Sequence, residues 1–405
     1  AGATQTEDWV KVRGDQLAAK NGFYELSITA ELNETHYFDQ LSLMTVDHPE
    51  NTEIFVDERF NPTQGPLLKV IPTGPTQAFG EVRGWKGQDV RDTVAQRDTR
   101  YLDDFGRGKY QGIAGDHWVE LALPESAPRN TPLYLIAHGW LHPTNTSLNV
   151  AMSQDKSQGP PQGLSLWTPD GKSKDGWSKK RDALGFPAGK LKTIVLRLDD
   201  IFPAGSPRRV RLRTNLEVFW DQLQWAEARP DSVLKIQRLP LASAQLRYRG
   251  FSVVKAVDAS SPELPVSYAE LGGETPRWRD LTGFVTRFGD VKALLTGVDD
   301  RYAILNAGDE ILFKFPASSA PEAGKKRDFV VISDGWEKDG NINTTFGKTV
   351  GPYPLHALKD YPVSYSNLTD DPAYQKHPED FANYHTRWVT PEAFVNAFLP
   401  PQHRK

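Results

Sequence analysis

The densest run of metal-type side chains is Asp334-Gly335-Trp336-Glu337-Lys338-Asp339-Gly340-Asn341-Ile342-Asn343. Hard cations such as calcium take six to eight oxygens from carboxylates, amides and carbonyls. Asp334, Glu337, Asp339, Asn341 and Asn343 offer that chemistry within one short segment. The alternation of Asp339, Asn341 and Asn343 matches the opening of a calcium loop. The twelve-residue pattern is incomplete, because Gly340 falls between the first two of these ligands and no glutamate closes the loop. The competing reading is a polar turn whose Asp and Asn side chains bond nearby backbone. If the segment is a site, calcium is the expected cofactor.

A related turn lies upstream, His138-Gly139-Trp140-Leu141-His142-Pro143, with Asn145 just beyond it. Two histidines four apart bind zinc from one helix face, but Pro143 and the strand pattern before it argue against a helix. His36, Asp47 and His48 form a polar group without the Gly-x-Ser-x-Gly of a serine hydrolase, and neighbours on a strand point to opposite faces. Asp103-Asp104 and Asp299-Asp300 stand near Arg100 and Arg301. In a repeated motif such groups read as structural Arg–Asp bonds rather than as the two carboxylates of a glycosidase. Tryptophan is abundant, with 11 in the chain. Its ring is a flat apolar platform with one donor, so Trp140 and Trp336, at the two equivalent turns, are the expected ligand-binding residues.

These residues must be held by strands. Runs at 24–30, 38–46, 117–123, 133–137, 163–167, 193–198, 210–215, 218–225, 246–254, 310–315 and 329–333 are rich in Val, Ile, Leu and aromatics and bounded by turn residues. Helical signals are few. Asp89 and Asp290 each stand as a cap before a short apolar stretch, and Thr390-Pro391 opens a third.

The strands belong to a duplication. Gly87-Gln88-Asp89-Val90 followed by Asp98-Thr99-Arg100-Tyr101 returns as Phe288-Gly289-Asp290-Val291 followed by Asp299-Asp300-Arg301-Tyr302, with the same spacing. His138-Gly139-Trp140 returns as Asp334-Gly335-Trp336, and Phe38-Asp39-Gln40-Leu41 is echoed by Trp220-Asp221-Gln222-Leu223. The expected fold is mainly β: two related β-sandwich units of jelly-roll or galactose-binding-like type, with few short helices. The expected division is 1–226, a shorter related unit at 227–350, and an irregular tail at 351–405 that wraps over the folded units to cover its aromatics.

Composition narrows the function. Lys and Arg number 48 against 52 Asp and Glu, a net charge of −4, so nothing draws the chain to nucleic acid. The absence of cysteine removes disulfides, thiolate metal sites and cysteine nucleophiles. The apolar runs are strand-sized, and no membrane span is expected.

Asp47-His48-Pro49, Arg100-Tyr101-Leu102-Asp103-Asp104-Phe105, Gly185-Phe186-Pro187-Ala188-Gly189-Lys190, Arg213-Thr214-Asn215-Leu216-Glu217 and the two Gly-Trp turns form one pattern. On them the chain resembles the carboxy-terminal region of bacterial FG-GAP/ASPIC-UnbV proteins, large secreted proteins related to cartilage acidic protein. The calcium-binding propeller that usually precedes this region is not seen in the sequence. The resemblance implies an extracytoplasmic protein and brings neither an activity nor a site. The expectation is a non-catalytic binding or structural protein for a glycan or another surface protein, with structural calcium. The alternatives are a metal-dependent hydrolase at 334–343 and a self-assembling, homo-oligomeric surface or filament component.

Overall fold

The computed structural model describes residues 6–60, 62–63, 66–157, 159–202, 205–273, 277–358 and 367–400. The chain is mainly β. It opens with β1 (Glu7–Val12), β2 (Phe23–Thr29) and the long β3 (Glu34–Pro49), followed by the short hairpin β4 (Glu53–Phe55) and β5 (Ile71–Thr73). Next come β6 (Gln77–Ala78), β7 (Glu81–Gly84), β8 (Ile113–Ala122) and β9 (Leu133–Leu141). After helix α1 (Thr146–Gln154) the chain continues through β10 (Ser165–Pro169), β11 (Trp177–Arg181), β12 (Lys192–Arg197), β13 (Arg209–Leu216) and β14 (Val218–Glu227). The remaining main strands are β15 (Lys235–Leu239), β16 (Ser243–Tyr248), β17 (Gly289–Asp290), β18 (Ala303–Leu305), β19 (Asp309–Pro316) and β20 (Lys325–Asp339).

Two pairs of sheets form, each around its own core. In the first, the sheet β12-β9-β14-β6 faces β11-β10-β13-β8-β7. The alternation of β13 decides its orientation: Val210, Leu212 and Leu216 enter the core, while Arg209, Arg211 and Arg213 face outward. In the second, β1-β20-β3-β15, with β18 also on β3, faces β2-β19-β16-β17 across Leu41, Leu43, Leu246, Ile311, Phe313 and Phe329.

The sheets do not divide at Ala226 as the sequence suggests. β3 pairs with β20 from Glu34↔Asp339 to Pro49↔Lys325, and with β15 from Leu43↔Leu239 to Asp47↔Lys235. The amino-terminal strands thus complete the second unit, and residues 77–227 form the first unit as an insertion. The apolar face of β3 finds its partners about 300 residues away, a pairing that no local pattern encodes.

The segment after β3 locks the units together. Ile54, Val56 and Val70 pack with Met44, Val46, Val330 and Ile332 of the second unit. Their neighbours Phe55 and Ile71 pack with Tyr134, Ile136, Val195 and Ala226 of the first. Successive residues of an extended chain point opposite ways, so one segment serves both outer sheet faces.

The short apolar stretches capped by Asp89 and Asp290 form single 3-10 turns, Arg91–Val94 and Lys292–Leu294, with each Asp accepting the N–H two residues on. Helix α1 is not apparent from the sequence pattern; Asn145 caps it by accepting Leu148 N–H at 2.9 Å. The tail lies on the second unit. Tyr353 and Leu355 join Tyr37, Tyr302 and Ile304 in one cluster, and Arg387–Val389 pairs with Gly283–Val285.

Candidate functional site

The duplicated turns are built around a β-bulge. In β14 the extra residue is Asp221, between the pairs Trp220↔Gly139 and Gln222↔His138. In β3 it is Asp39, between Phe38↔Gly335 and Gln40↔Asp334. Both carboxylates are buried. Asp39 accepts the N–H groups of Asp299 and Asp300 at 3.1 and 2.9 Å, and Asp221 those of Asp98 and Thr99, both at 3.2 Å. Asp300 and Thr99 have φ of 66° and 67°, which aims two successive amides at one anion. The bulge also presses a carbonyl on the opposite strand. A Cβ on Gly335 would lie 2.3 Å from Tyr37 O, and one on Gly139 2.5 Å from Phe219 O, so glycine is required at both turns.

Above the second bulge sits His356, supplied by the tail. Its Nδ1 is 2.6 Å from Asp300 Oδ1 and its Nε2 is 2.9 Å from Asp334 Oδ1, with Asp39 Oδ2 3.6 Å from Nδ1. Both ring nitrogens face carboxylates, an arrangement that suits the imidazolium. Burial opposes that charge, yet the bond to Asp300 and the Asp334 charge raise the His356 pKa. Burial would lift Asp300, but Lys376 at 2.7 Å and His356 hold it at about 2. Asp39 is pushed up to about 6 by burial, against the two amides it accepts. The geometry is that of a strap bolted down by ion pairs, and Arg301, bonded to Asp380, adds another.

The five residues expected to share a cation are placed in three different groups. Asp334 is engaged by His356 and by Thr6 Oγ1 at 3.0 Å. Glu337 lies beside Glu34 and His36. Asp339, Asn341 and Asn343 form a seam with the start of α1. Asp339 accepts the Thr146 N–H and hydroxyl and the Asn341 N–H; Asn341 accepts the Ser147 hydroxyl; and Asn343 donates to Ser147 Oγ. Those oxygens are occupied by hydrogen bonds within the protein, as in the polar-turn reading, so 334–343 does not converge as one calcium loop. His138 and His142 are likewise apart in role: His138 Nδ1 faces Thr193 Oγ1 at 3.3 Å, while His142 packs edge-on against Trp140.

The expected platforms also change. Trp140 is only 2% exposed; it stacks on Phe219 and donates to Ser260 O at 3.0 Å, so it is a core residue. Trp336 is half-buried under His356, with ring centroids 5.4 Å apart. Tryptophans do gather elsewhere, on the outer face of β11-β10-β13-β8. Arg211 lies over the rings of Trp118 and Trp177 at 4.5 and 3.9 Å, and Arg213 over Trp167 at 4.7 Å. Arg213 is also bound to Asp116 and Arg211 to Glu120. Beside this ladder opens a cleft of about 770 Å³, lined by Trp167 together with Asp116, Gln162, Lys179, Arg213 and Asn215. Alternation on β13 and on β8, with Arg209/Arg211/Arg213 and Asp116/Trp118/Glu120 all at alternate positions, was the signal in the sequence that could have located this face. No helix among the described residues is long and apolar enough to cross a membrane.

No family model, no curated protein and no solved structure matches this chain.

Proposed function

We propose that this is a non-catalytic, extracytoplasmic binding protein whose ligand is a glycan, held against the outer face of the first unit. The observation that carries this reading is the open cleft of about 770 Å³ beside the Trp–Arg ladder. Trp167 gives it an apolar wall. Asp116, Gln162, Lys179, Arg213 and Asn215 give it donors and acceptors spaced along a rigid sheet. A polyhydroxylated ring with apolar C–H faces matches that mixture. The guanidinium stacks fix the Trp side chains before any ligand arrives, which lowers the ordering cost of binding. The extracytoplasmic placement draws its support from the family resemblance of the sequence motifs.

The test is titration of the full chain against a panel of soluble neutral and acidic polysaccharides, by calorimetry and by retardation in polysaccharide-containing gels. Trp167→Ala is expected to weaken the best ligand at least about tenfold, the equivalent of about 1.4 kcal/mol. Binding that Trp167→Ala and Arg213→Ala leave unchanged refutes this location. Failure of the whole panel to bind refutes the glycan reading.

A further inference from the structure

The duplication supplies an internal control. The two Gly-Trp turns are anchored by Gly335↔Phe38 in the second unit and Gly139↔Trp220 in the first. Two residues further along each strand pair, the second unit has Glu337↔His36 and the first has Leu141↔Val218. Counting back along the chain from the same anchors, Glu34 stands where the first unit has Leu216. Leu141, Leu216 and Val218 are all buried in the first core. The architecture therefore closes this end of a core with three apolar side chains, and in the second unit it closes with Glu, His and Glu.

Strand alternation puts Glu34 and His36 on one face of β3, with Glu337 opposite His36 and Asp339 opposite Glu34. One ligand atom from each of Glu34, His36 and Glu337 lies within 4.8 Å of the others. Only about a fifth of the Glu34 and His36 side chains is exposed, 22% and 21%. Glu337 is exposed, leaving a way in from solvent. The nearest contact of the His36 ring nitrogens with a carboxylate is 3.7 Å, to Glu34 Oε2, too long for a hydrogen bond, and among the described residues no hydrogen bond reaches the ring. Among the described residues, no Lys or Arg forms an ion pair with Glu34 or Glu337. The Glu34 and Glu337 carboxyl groups thus have only each other as partners, beside an imidazole that no hydrogen bond reaches.

We propose that Glu34, His36 and Glu337 hold one divalent transition-metal ion of the zinc or manganese class, with water completing its shell. Two carboxylates alone would suit calcium or magnesium; the imidazole shifts the preference to a borderline metal. The ion would tie the start of β3 to the end of β20, beside the Asp339 seam between the units. It would supply the attraction that three apolar side chains provide in the first unit. This site is independent of the cleft on the first unit.

The experiment uses tag-free full chain, stripped with EDTA and dialysed, then titrated with Zn2+, Mn2+ and Ca2+ separately. Elemental analysis and thermal unfolding are the readouts. One equivalent of Zn2+ or Mn2+ is expected, with a rise in Tm that grows with free metal concentration. Glu337→Gln, at an exposed position that does not threaten folding, is expected to weaken binding about 10–100-fold. His36→Val/Glu337→Leu, which installs the first unit's residues, is expected to abolish binding while the metal-free protein unfolds at a temperature no lower than wild type. The inference is overturned by the absence of stoichiometric Zn2+ or Mn2+ binding, by a calcium-only response, or by binding that Glu337→Gln leaves unchanged.

Discussion

Replacing His356 with Gln tests whether the tail is an ion-pair strap. His356 donates to Asp300 and Asp334 at 2.6 and 2.9 Å, and its backbone N–H also reaches Asp300 at 2.9 Å. The backbone bond survives the substitution; the two charged side-chain bonds do not. Bonds to charged groups are worth about 1.5–3 kcal/mol each, but Lys376 and Thr6 remain to satisfy part of the two carboxylates. The depression of Asp300 from 3.8 to about 2 gives an independent scale: against the cost of burial, Lys376, His356 and Tyr302 together leave a net of about 2 kcal/mol. The expected loss is therefore about 2 kcal/mol of docking free energy, or about 30-fold more frequent opening of the tail. The pH dependence has a definite sign. His356 is raised in the folded protein, so its contribution is complete below its unfolded value near 6.5 and disappears as pH rises through its folded value. Asp39, raised to about 6, acts in the same sense, its contribution declining between about pH 4 and 6. Asp300 sets the acid limit, losing its contribution as pH falls from 3.8 toward 2. Hydrogen exchange of residues 353–358 and 367–389, corrected for intrinsic rate, measures the opening free energy directly. Protection should be greater at pH 5.5 than at pH 8.5 in wild type, with most of that difference gone in His356→Gln. Equal opening free energies at the two pH values, or a variant indistinguishable from wild type at pH 5.5, refute the strap.

The two turn glycines and the seam between the units give further tests. Gly335→Ala and Gly139→Ala each force a Cβ against a backbone carbonyl of the bulged strand and should cost about 1–3 kcal/mol, measured by urea unfolding. A cost below about 0.5 kcal/mol at both would show that the bulge does not impose the glycine. Asp339→Ala leaves the Thr146 N–H and hydroxyl without their acceptor and should weaken the seam by about 1–3 kcal/mol. In calorimetry the variant should separate the unfolding of the two units, and a single transition at the wild-type temperature would count against the seam.

The strands were legible because their signals are local. Alternation marked β2, β13 and β19, and the repeated Asp-x-Arg-Tyr and Gly-Trp elements marked a duplication whose bulges coincide residue for residue. The unit boundary was not legible, because β3 gains its partners from β15 and β20 only through sheet pairing at long range. The grouping of acidic residues failed for a related reason. Asp334 and Glu337 are close in sequence but differ by an odd number of strand positions, so they face opposite sides of the sheet. Each therefore belongs with residues from β3 or the tail instead of with the other. Trp140 misled because a ring at a turn is exposed only if nothing covers the turn, and the segment carrying Ser260 covers it.

That cover explains what the tail does for the second unit. In the first unit Tyr101, Trp140 and Phe219 pack together, and the 258–261 segment closes them off through the bond from Trp140 to Ser260 O. In the second unit the equivalent residues are Tyr302, Trp336 and Tyr37, and the cover comes from the tail through Val350, Tyr353 and His356. The position before the turn glycine differs to match: His138 in the first unit bonds within its own sheet, to Thr193, whereas Asp334 in the second reaches out to His356. The bulge carboxylates and the turn glycines, which set the backbone, are the same in both copies. The residues that meet the cover, or that close the end of the core at 34, 36 and 337, are not. Divergence thus falls where a second unit, lacking the first unit's apolar closure, had to be completed by charge, by the tail and by the ion assigned to Glu34, His36 and Glu337. In a chain without cysteine, these polar closures carry part of what disulfide cross-links supply in other folds.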